Sequence, residues 1–232
     1  DNQGHEQPVH RDNIENYYFD ADEDVYYTEE QFNDNIIQEY GKTELPPISS
    51  GKKDYFIGIE LEMEKEESTL KERGESIVNV LNESGEDFSD MLEWKKDGSL
   101  EQGVEMVTAP ISLEIFKKDI VPIVQKLHEN GFTSEKGGRC GNHIHISKNV
   151  FSEEEQSRLV LIYAKFEKQI KILSRRGTNN SYCRDVLENF ESLEVENSLR
   201  IADSQKNKSK FTAINLSNKN TIEFRVFRGT MN

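Results

Sequence analysis

The sequence predicts an α+β fold, in which one largely antiparallel sheet is covered by helices on one face. Three observations support this prediction. Several segments alternate apolar and polar residues with a period of two, as strands with one buried face do. Other segments repeat apolar residues every three or four positions, as amphipathic helices do. Strands and helices also interleave along the chain, in an order typical of a sheet with helices on one side.

Periodicity, together with turn and cap residues, defines six strand segments and four helices. The strand segments are 55–64, 92–95, 103–108, 139–147, 211–216 and 221–227. The helices are 68–82, 113–130, 157–174 and 185–202. Ser152 and Glu155 have the spacing of a capping box before the third helix. Pro122 predicts a kink or a restart within the second.

Residues 1–50 are predicted to be an appendage and linker in front of a main domain at 51–232. They contain 13 acidic and two basic residues, whereas the rest of the chain is nearly balanced with 31 and 27. Their many aromatic residues are unusual for pure disorder and predict hairpin fragments or a short helix near 29–40. The Pro, Ser and Gly residues at 45–51 are typical of a linker.

The formal net charge of -15 argues against a nucleic-acid-binding protein, because phosphate backbones are bound by clustered Lys and Arg. An anionic nucleotide is still compatible with the chain if carboxylates hold the cations that accompany its phosphates. No apolar stretch is long enough to span a membrane, and no signal peptide is visible. With two cysteines, Cys140 and Cys183, the default prediction is a reducing, cytoplasmic location, and a secreted origin stays open.

Three predicted strands combine an apolar face with a face of ligand-type side chains. On these polar faces lie Glu60 and Glu62, then His143, His145 and Ser147, then Glu223 and Arg225. An antiparallel sheet with one solvated face alternates in the same way. Solvated faces, however, usually carry Thr, Lys, Ser and Arg, whereas Glu and His predominate here. The three strands together therefore predict a ligand-binding sheet.

The donor set on these faces favours a hard divalent cation. Glu60, Glu62 and Glu223 with one imidazole offer mainly oxygen ligands, which magnesium prefers. Zinc would favour more nitrogen or sulfur. Asp97 and Glu105 add two acids, although Asp97-Gly98 is also a common turn sequence.

Six segments match the motifs of one family in chain order. They are Gly58-Ile59-Glu60-Leu61-Glu62; Asp97-Gly98-Ser99-Leu100; Gly103-Val104-Glu105-Met106-Val107-Thr108-Ala109-Pro110; Cys140-Gly141-Asn142-His143-Ile144-His145; Ser174-Arg175 with Asn179, Tyr182 and Cys183; and Thr221-Ile222-Glu223-Phe224-Arg225 with Gly229-Thr230. Together they resemble the amidoligase family of the glutamine synthetase and glutamate–cysteine ligase superfamily, over about residues 54–232. Relatives usually continue into another helix, which leaves open a truncated C-terminus.

The resemblance implies a curved sheet like that of the glutamine synthetase catalytic domain, with ATP and two or three Mg²⁺ or Mn²⁺ ions bound. Carried over by position, the metal ligands are Glu60, Glu62, Asp97, Glu105, His143 and Glu223. The residues near the nucleotide are His145, Ser147, Arg175 and Arg225, and the catalytic residues are Arg225 and Glu223. The implied reaction is amide-bond formation, in which a carboxylate is activated as an acyl phosphate that an amine then attacks.

Two other functions stay open at this point. His143 and His145 are compatible with a metal-dependent hydrolase, and the same fold is compatible with a non-catalytic nucleotide- or metal-binding module. Arg175 and Arg176, at a helix end, suit phosphate binding but also simply complement the helix dipole. The expected substrates are a carboxylate and an amine carried by a small molecule, a peptide or a protein. Neither a nucleic acid nor a membrane is an expected partner.

Overall fold

The computed structural model describes most of residues 51–232 and parts of residues 1–50. The described residues are 17–20, 25–28, 36–41, 43, 45–49, 55–100, 103–134, 140–176, 183–186 and 211–231. The predicted helix at 185–202 lies outside them except for residues 185 and 186, which are not helical. Most of the alternative helix at 29–40 also lies outside, and its described end forms a strand, Ile37–Gln38.

Ten strands and three helical segments are present in the described part of the chain. The strands are β1 Tyr17–Asp20, β2 Val25–Thr28, β3 Ile37–Gln38, β4 Phe56–Glu64, β5 Leu92–Lys95, β6 Gly103–Thr108, β7 Ile111–Ser112, β8 Gly141–Ser147, β9 Ile214–Asn215 and β10 Thr221–Arg228. The helices are α1 Leu70–Ser84, α2, which consists of Leu113–Ile115, a π-helical turn Phe116–Ile120 and Val121–Glu129, and α3 Glu153–Ser174. A 3-10 turn, Lys148–Val150, follows β8.

Eight strands form one sheet in the order β3-β5-β6-β4-β8-β10-β9, with β7 paired to β4. Every pairing is antiparallel except that of β3 with β5. β1 and β2 pair antiparallel in a separate two-stranded sheet. The α+β prediction with a largely antiparallel sheet is therefore confirmed, as is the hairpin alternative for the segments at 17–20 and 25–28.

The helices pack on the apolar face of the large sheet in two clusters. One cluster joins Ile59, Leu61 and Met63 of β4 with Ile77 and Val80 of α1 and Ile123 and Leu127 of α2. The other joins Val160 and Ala164 of α3 with Ile214 of β9 and Ile222 and Val226 of β10. Because strand residues alternate between faces, the acidic and imidazole side chains project from the opposite face.

Local sequence signals explain how the helices begin. Ser152 and Glu155 form the predicted capping box at α3, and Thr69 forms the corresponding box at α1. Gly85 ends α1 in the left-handed conformation, with φ of 71°. Pro122 lies in the first turn of the α-helical part of α2, directly after the π-helical turn. The predicted restart is confirmed, because proline lacks the N–H that an uninterrupted helix would need there.

Part of the predicted appendage contacts the edge of the sheet. β3 extends the sheet beside β5, and the N–H of Ile48 donates to the carbonyl of Pro110 at 2.8 Å. Lys95 Nζ donates to the carbonyl of Gly41 at 2.8 Å and to Thr43 Oγ1 at 2.7 Å. The division at residue 50 stays a prediction. Within the described residues, no helix combines the length and apolarity that crossing a bilayer requires.

Candidate functional site

Strand register brings ligand-type side chains from four neighbouring strands onto one face of the sheet. The directly opposed pairs are Glu62 with Glu105, Glu60 with His143, and His145 with Glu223. Opposed residues in an antiparallel ladder project from the same face and lie close together. Since β6, β4, β8 and β10 are consecutive in the sheet, these pairs form one continuous polar surface.

Among the described residues, this surface contains three overlapping groups of possible metal ligands. In each group, one ligand atom per residue lies within 4.8 Å of the others. The groups are Glu62 with Asp97 and Glu105, Glu60 with Glu105 and His143, and Glu60 with His145 and Glu223. We call the first group the acid end, and we call the last group, together with His143, the imidazole end. The six residues predicted to bind metal are thus brought together, and His145 joins them.

At the imidazole end, Glu60 contacts both histidines. His143 Nδ1 lies 2.8 Å from Glu60 Oε2, and His145 Nε2 lies 3.0 Å from Glu60 Oε1. Burial alone would raise the pKa of Glu60, but the two histidines hold it well below its usual range. Burial opposes a charged imidazole too, yet Glu60 raises the pKa of His145. One ionised carboxylate therefore orients two imidazole rings.

Glu223 completes the imidazole end and is held by three side chains. Asn215 Nδ2 donates to Glu223 Oε2 at 2.8 Å, and Asn218 Nδ2 donates to the same oxygen at 3.2 Å. Arg225 Nη1 donates to Oε1 of Glu223. Glu223 is only 4% exposed, so these donors replace much of the hydration that the carboxylate loses.

At the acid end, backbone N–H groups bind two of the three carboxylates. Glu62 Oε2 accepts a hydrogen bond of 2.5 Å from the N–H of Gly141. Asp97 Oδ1 accepts one of 2.7 Å from the N–H of Ser99, in the turn after β5. The turn predicted from Asp97-Gly98 thus also delivers a carboxylate to the site.

Glu105 is the residue whose ionisation the acid end disfavours most clearly. Burial, followed by repulsion from Glu60, Asp97 and Glu62, raises the pKa of Glu105 to about 8. The nearby ammonium of Lys95 offsets only part of this effect. A cation bound between these carboxylates would remove the repulsion, so the acid end has the electrostatics of a cation site.

His143 has the hydrogen-bonding pattern of a metal ligand. Because Glu60 is ionised, Nδ1 of His143 carries the proton and donates to it, and in the neutral ring Nε2 then bears the lone pair. Nε2 is buried, lies 3.7 Å from Glu62 Oε1, and has no hydrogen-bond partner within the described ranges. A carboxylate that orients a histidine in this way is typical of metal centres. The residues present therefore fit a divalent cation.

Two residues that the sequence assigns to nucleotide binding lie outside these groups. Ser147 is on the same face of β8, and its hydroxyl donates to the carbonyl of Phe56 at 3.3 Å. Arg175 is the C-cap of α3, in the left-handed conformation, and is exposed. In the part of the chain that the structure describes, no hydrogen bond or ion pair joins Arg175 to the three groups. Its role and that of Ser147 stay predictions.

Sequence reasoning did not identify the residues that support the site. Asn215, Asn218 and Thr221, whose Oγ1 lies 3.1 Å from His145 Nδ1, escaped notice because polar residues near a turn are common. Lys95 was identifiable in principle, since it lies two residues before Asp97 and alternates onto the same face as the acidic residues. Arg176, the neighbour of Arg175, is the buried member of the pair.

Comparison with known proteins identifies a family. The model of the family described as "putative amidoligase enzyme" matches residues 60–232, which is most of the chain. No curated protein and no solved structure matches significantly. The matched region begins at Glu60 and contains every residue of the three groups. The chain therefore belongs to the amidoligase family.

Proposed function

We propose that the protein is an ATP- and magnesium-dependent carboxylate–amine ligase that works through an acyl phosphate. One observation carries the proposal: five carboxylates and two imidazoles from separate strands and a turn meet on one face of the sheet. Family membership supports a ligase. A free carboxylate is a poor acyl donor, so activation by phosphorylation splits one difficult step into two easier ones.

The donor set suits magnesium or manganese better than zinc. Five of the seven ligand-type side chains offer oxygen, and the shared residues Glu60 and Glu105 allow neighbouring cations at the two ends. When bound with ATP, such cations neutralise the negative charge of the phosphates. Glu60, Glu62, Asp97, Glu105, His143 and Glu223 are the proposed ligands, for two or three ions.

Arg225 is the residue proposed to face the transferred phosphoryl group. It lies at the imidazole end, where it is held against Glu223, and its side chain is 12% exposed. A guanidinium held there in a fixed direction stabilises the charge that spreads over phosphoryl oxygens during transfer. Glu223 thus has two roles, as a cation ligand and as the group that orients Arg225.

The residues that bind the nucleotide and the substrates are proposed from their positions in the sequence and not from contacts in the structure. We propose that His145 and Ser147 lie near the phosphates and that Arg175 binds an anionic group of the nucleotide or substrate. The substrates are a carboxylate and an amine carried by a small molecule, a peptide or a protein. We further propose that residues 51–232 are the catalytic domain and that it acts in the cytoplasm.

An isotope-transfer assay tests the reaction directly. Purified protein is incubated with ATP, Mg²⁺ and a panel of ¹⁸O-labelled carboxylates and amines. We expect ADP release that depends on both substrates, with ¹⁸O appearing in the phosphate because an acyl phosphate forms. Glu60→Gln should abolish this signal, and Glu83→Gln, at an exposed position on α1, should not.

Two results would contradict the proposal. One is tight zinc binding and hydrolysis of an ester or amide without ATP, which would favour the metal-dependent hydrolase. The other is binding of ATP and Mg²⁺ with no ADP formed on any substrate pair under conditions where a control ligase is active. This second result would indicate a non-catalytic binding module.

A further inference from the structure

Strand β10 contains a bulge directly beside the imidazole end. Phe224 pairs with Ile144 and Phe227 pairs with Asn142, so Arg225 and Val226 together occupy the position opposite His143. Bulges bend a strand locally and re-aim the side chains at the irregular position. The direction of Arg225 toward Glu223 therefore depends on how this bulge is held.

The guanidinium of Arg176 binds backbone carbonyls at both ends of the bulge. Its Nη1 donates to the carbonyl of Arg225 at 2.7 Å and to that of Phe227 at 3.2 Å. Arg176 directly follows the C-cap of α3 and is only 7% exposed. One side chain thus binds both ends of the irregular segment and ties it to the end of a helix.

Gly141 makes room for this guanidinium. A Cβ atom added at Gly141 would lie 2.6 Å from Nη1 of Arg176, closer than real Cβ contacts allow, and 3.1 Å from Cζ, which is also tight. The N–H of the same glycine donates to Glu62 Oε2 at 2.5 Å. Arg176 is therefore packed against Gly141, which binds an acid-end carboxylate, and is hydrogen-bonded to the backbone of Arg225, which donates to Glu223.

Burying a guanidinium is unfavourable unless its hydrogen bonds repay the lost hydration. Nε of Arg176 is buried and has no hydrogen-bond partner within the described segments. The hydrogen bonds that Arg176 does make fix the backbone geometry of β10 at Arg225 and Phe227.

We propose that Arg176 is a positioning residue, which fixes the β10 bulge and thereby aims Arg225 at Glu223 and the transferred phosphoryl group. This inference deepens the proposed function and rests on it for its catalytic part. Arg176 itself acts through the backbone of β10. Its effect on turnover must therefore depend on Arg225 being present.

A double-mutant cycle tests this dependence. We expect Arg176→Met to lower ATP turnover by about 10-fold to 100-fold, because small displacements of a reacting group have effects of this size. Arg225→Met should cause a loss at least as large, and the double variant should be no slower than Arg225→Met alone. Arg176→Lys should restore part of the rate, since lysine can donate to one carbonyl. Arg158→Met, on the exposed face of α3, is the matched control and should leave turnover unchanged.

A second measurement does not require turnover. The Nε–Hε signal of Arg225 in a ¹H–¹⁵N spectrum should be sharp and slow to exchange in the unaltered protein. It should broaden in Arg176→Met and in Gly141→Ala, which displaces the guanidinium from the opposite side. If Arg176→Met fails to fold, Gly141→Ala and Arg176→Lys are measured in its place.

Two results would overturn the inference: additive losses of turnover in the double-mutant cycle, or an unchanged Arg225 signal in the folded variants. If turnover is absent but the Arg225 signal changes as expected, only the proposed function is contradicted.

Discussion

The acid end and the imidazole end differ in how their negative charge is balanced. At the imidazole end, two histidines, two asparagines and Arg225 surround Glu60 and Glu223. At the acid end, Glu105 lies among carboxylates, and its pKa is raised to about 8. The imidazole end is thus organised by the protein itself. The acid end would gain most from a bound cation.

Two carboxylates, Glu60 and Glu105, should contribute to the pH dependence of stability with opposite signs. The lowered pKa of Glu60 contributes stability that is present above pH 4.5 and is lost as the pH falls below it. The raised pKa of Glu105 contributes stability that is complete below pH 4.5 and is lost as the pH rises toward 8. Below pH 4.5, titration of the metal-free protein therefore reports on Glu60. At higher pH it reports on Glu105 together with His145, whose pKa is also raised.

Glu105→Gln should produce the largest effect. In the metal-free protein, Glu105 should lower the free energy of unfolding by about 1.4 kcal/mol per pH unit between its unfolded and folded pKa values of 4.5 and about 8. The variant should lack this slope, because glutamine does not titrate. Urea unfolding between pH 5 and 9 measures it.

Magnesium provides the control for this prediction. If the acid end binds a cation, saturating Mg²⁺ should flatten the slope of the unaltered protein and change the slope of Glu105→Gln much less. His145 also has a raised pKa, so both proteins share its contribution at higher pH. Equal slopes in the two metal-free proteins would show that the acid end tolerates the ionised carboxylate.

Lys95→Met should give the next largest effect, at the outer side of the acid end. Lys95 is 2% exposed, and its Nζ lies 2.9 Å from Glu93 Oε2 while also donating to Gly41 and Thr43. Removing one member of a buried ion pair typically costs about 3 kcal/mol. We expect a loss of that size in urea unfolding, with faster proteolysis near residues 41–43.

Lys96→Met is the matched control for that change. Lys96 pairs with Glu39 through side chains that are 42% and 81% exposed, and exposed pairs contribute about 0.5 kcal/mol or less. If the two variants lost equal stability, β3 and residues 41–43 would not depend on the buried ammonium.

Alternation and turn chemistry were sufficient to predict the strands that carry the site. The faces of β4, β8 and β10 follow from a period of two, and the turn at Asp97-Gly98 follows from its residues. Register was not predictable in the same way. Glu60 faces His143 and Glu62 faces Glu105 because distant segments pair in a particular register. The apolar pattern of a single strand does not specify which residue of the partner strand lies opposite.

The supporting residues were harder to predict than the ligands. Arg176 and Arg175 are adjacent and chemically identical, and only the conformation at the end of α3 makes one buried and the other exposed. The β10 bulge was also missed, because Thr221–Phe227 alternates as regularly as an uninterrupted strand. Both features arise from packing between elements, which local periodicity does not encode.

Glu60→Gln tests the residue that the imidazole end shares with the middle group, which also contains Glu105 of the acid end. Glu60 belongs to two of the three groups, whereas Glu62 belongs to one. Glu60→Gln should therefore weaken Mn²⁺ binding by at least about 10-fold and reduce the number of ions bound, whereas Glu62→Gln should affect the acid end alone. Calorimetric titration with Mn²⁺ gives both quantities. An equal loss in Glu83→Gln would show that the effect reflects overall charge.

Asn215→Ala and Asn218→Ala test the smallest difference, within the imidazole end. Both amides donate to Glu223 Oε2, at 2.8 Å and 3.2 Å, and Asn215 is 1% exposed. Removing the shorter, buried bond should cost about 1 to 3 kcal/mol of stability and weaken Mn²⁺ binding by up to about 10-fold. Removing the longer bond, in Asn218→Ala, should reduce both stability and Mn²⁺ affinity by clearly less. Thermal unfolding and Mn²⁺ titration of the two variants measure these effects. If the order were reversed, Glu223 would be held from the turn at Asn218 rather than from β9, and the imidazole end would depend on a loop instead of the sheet.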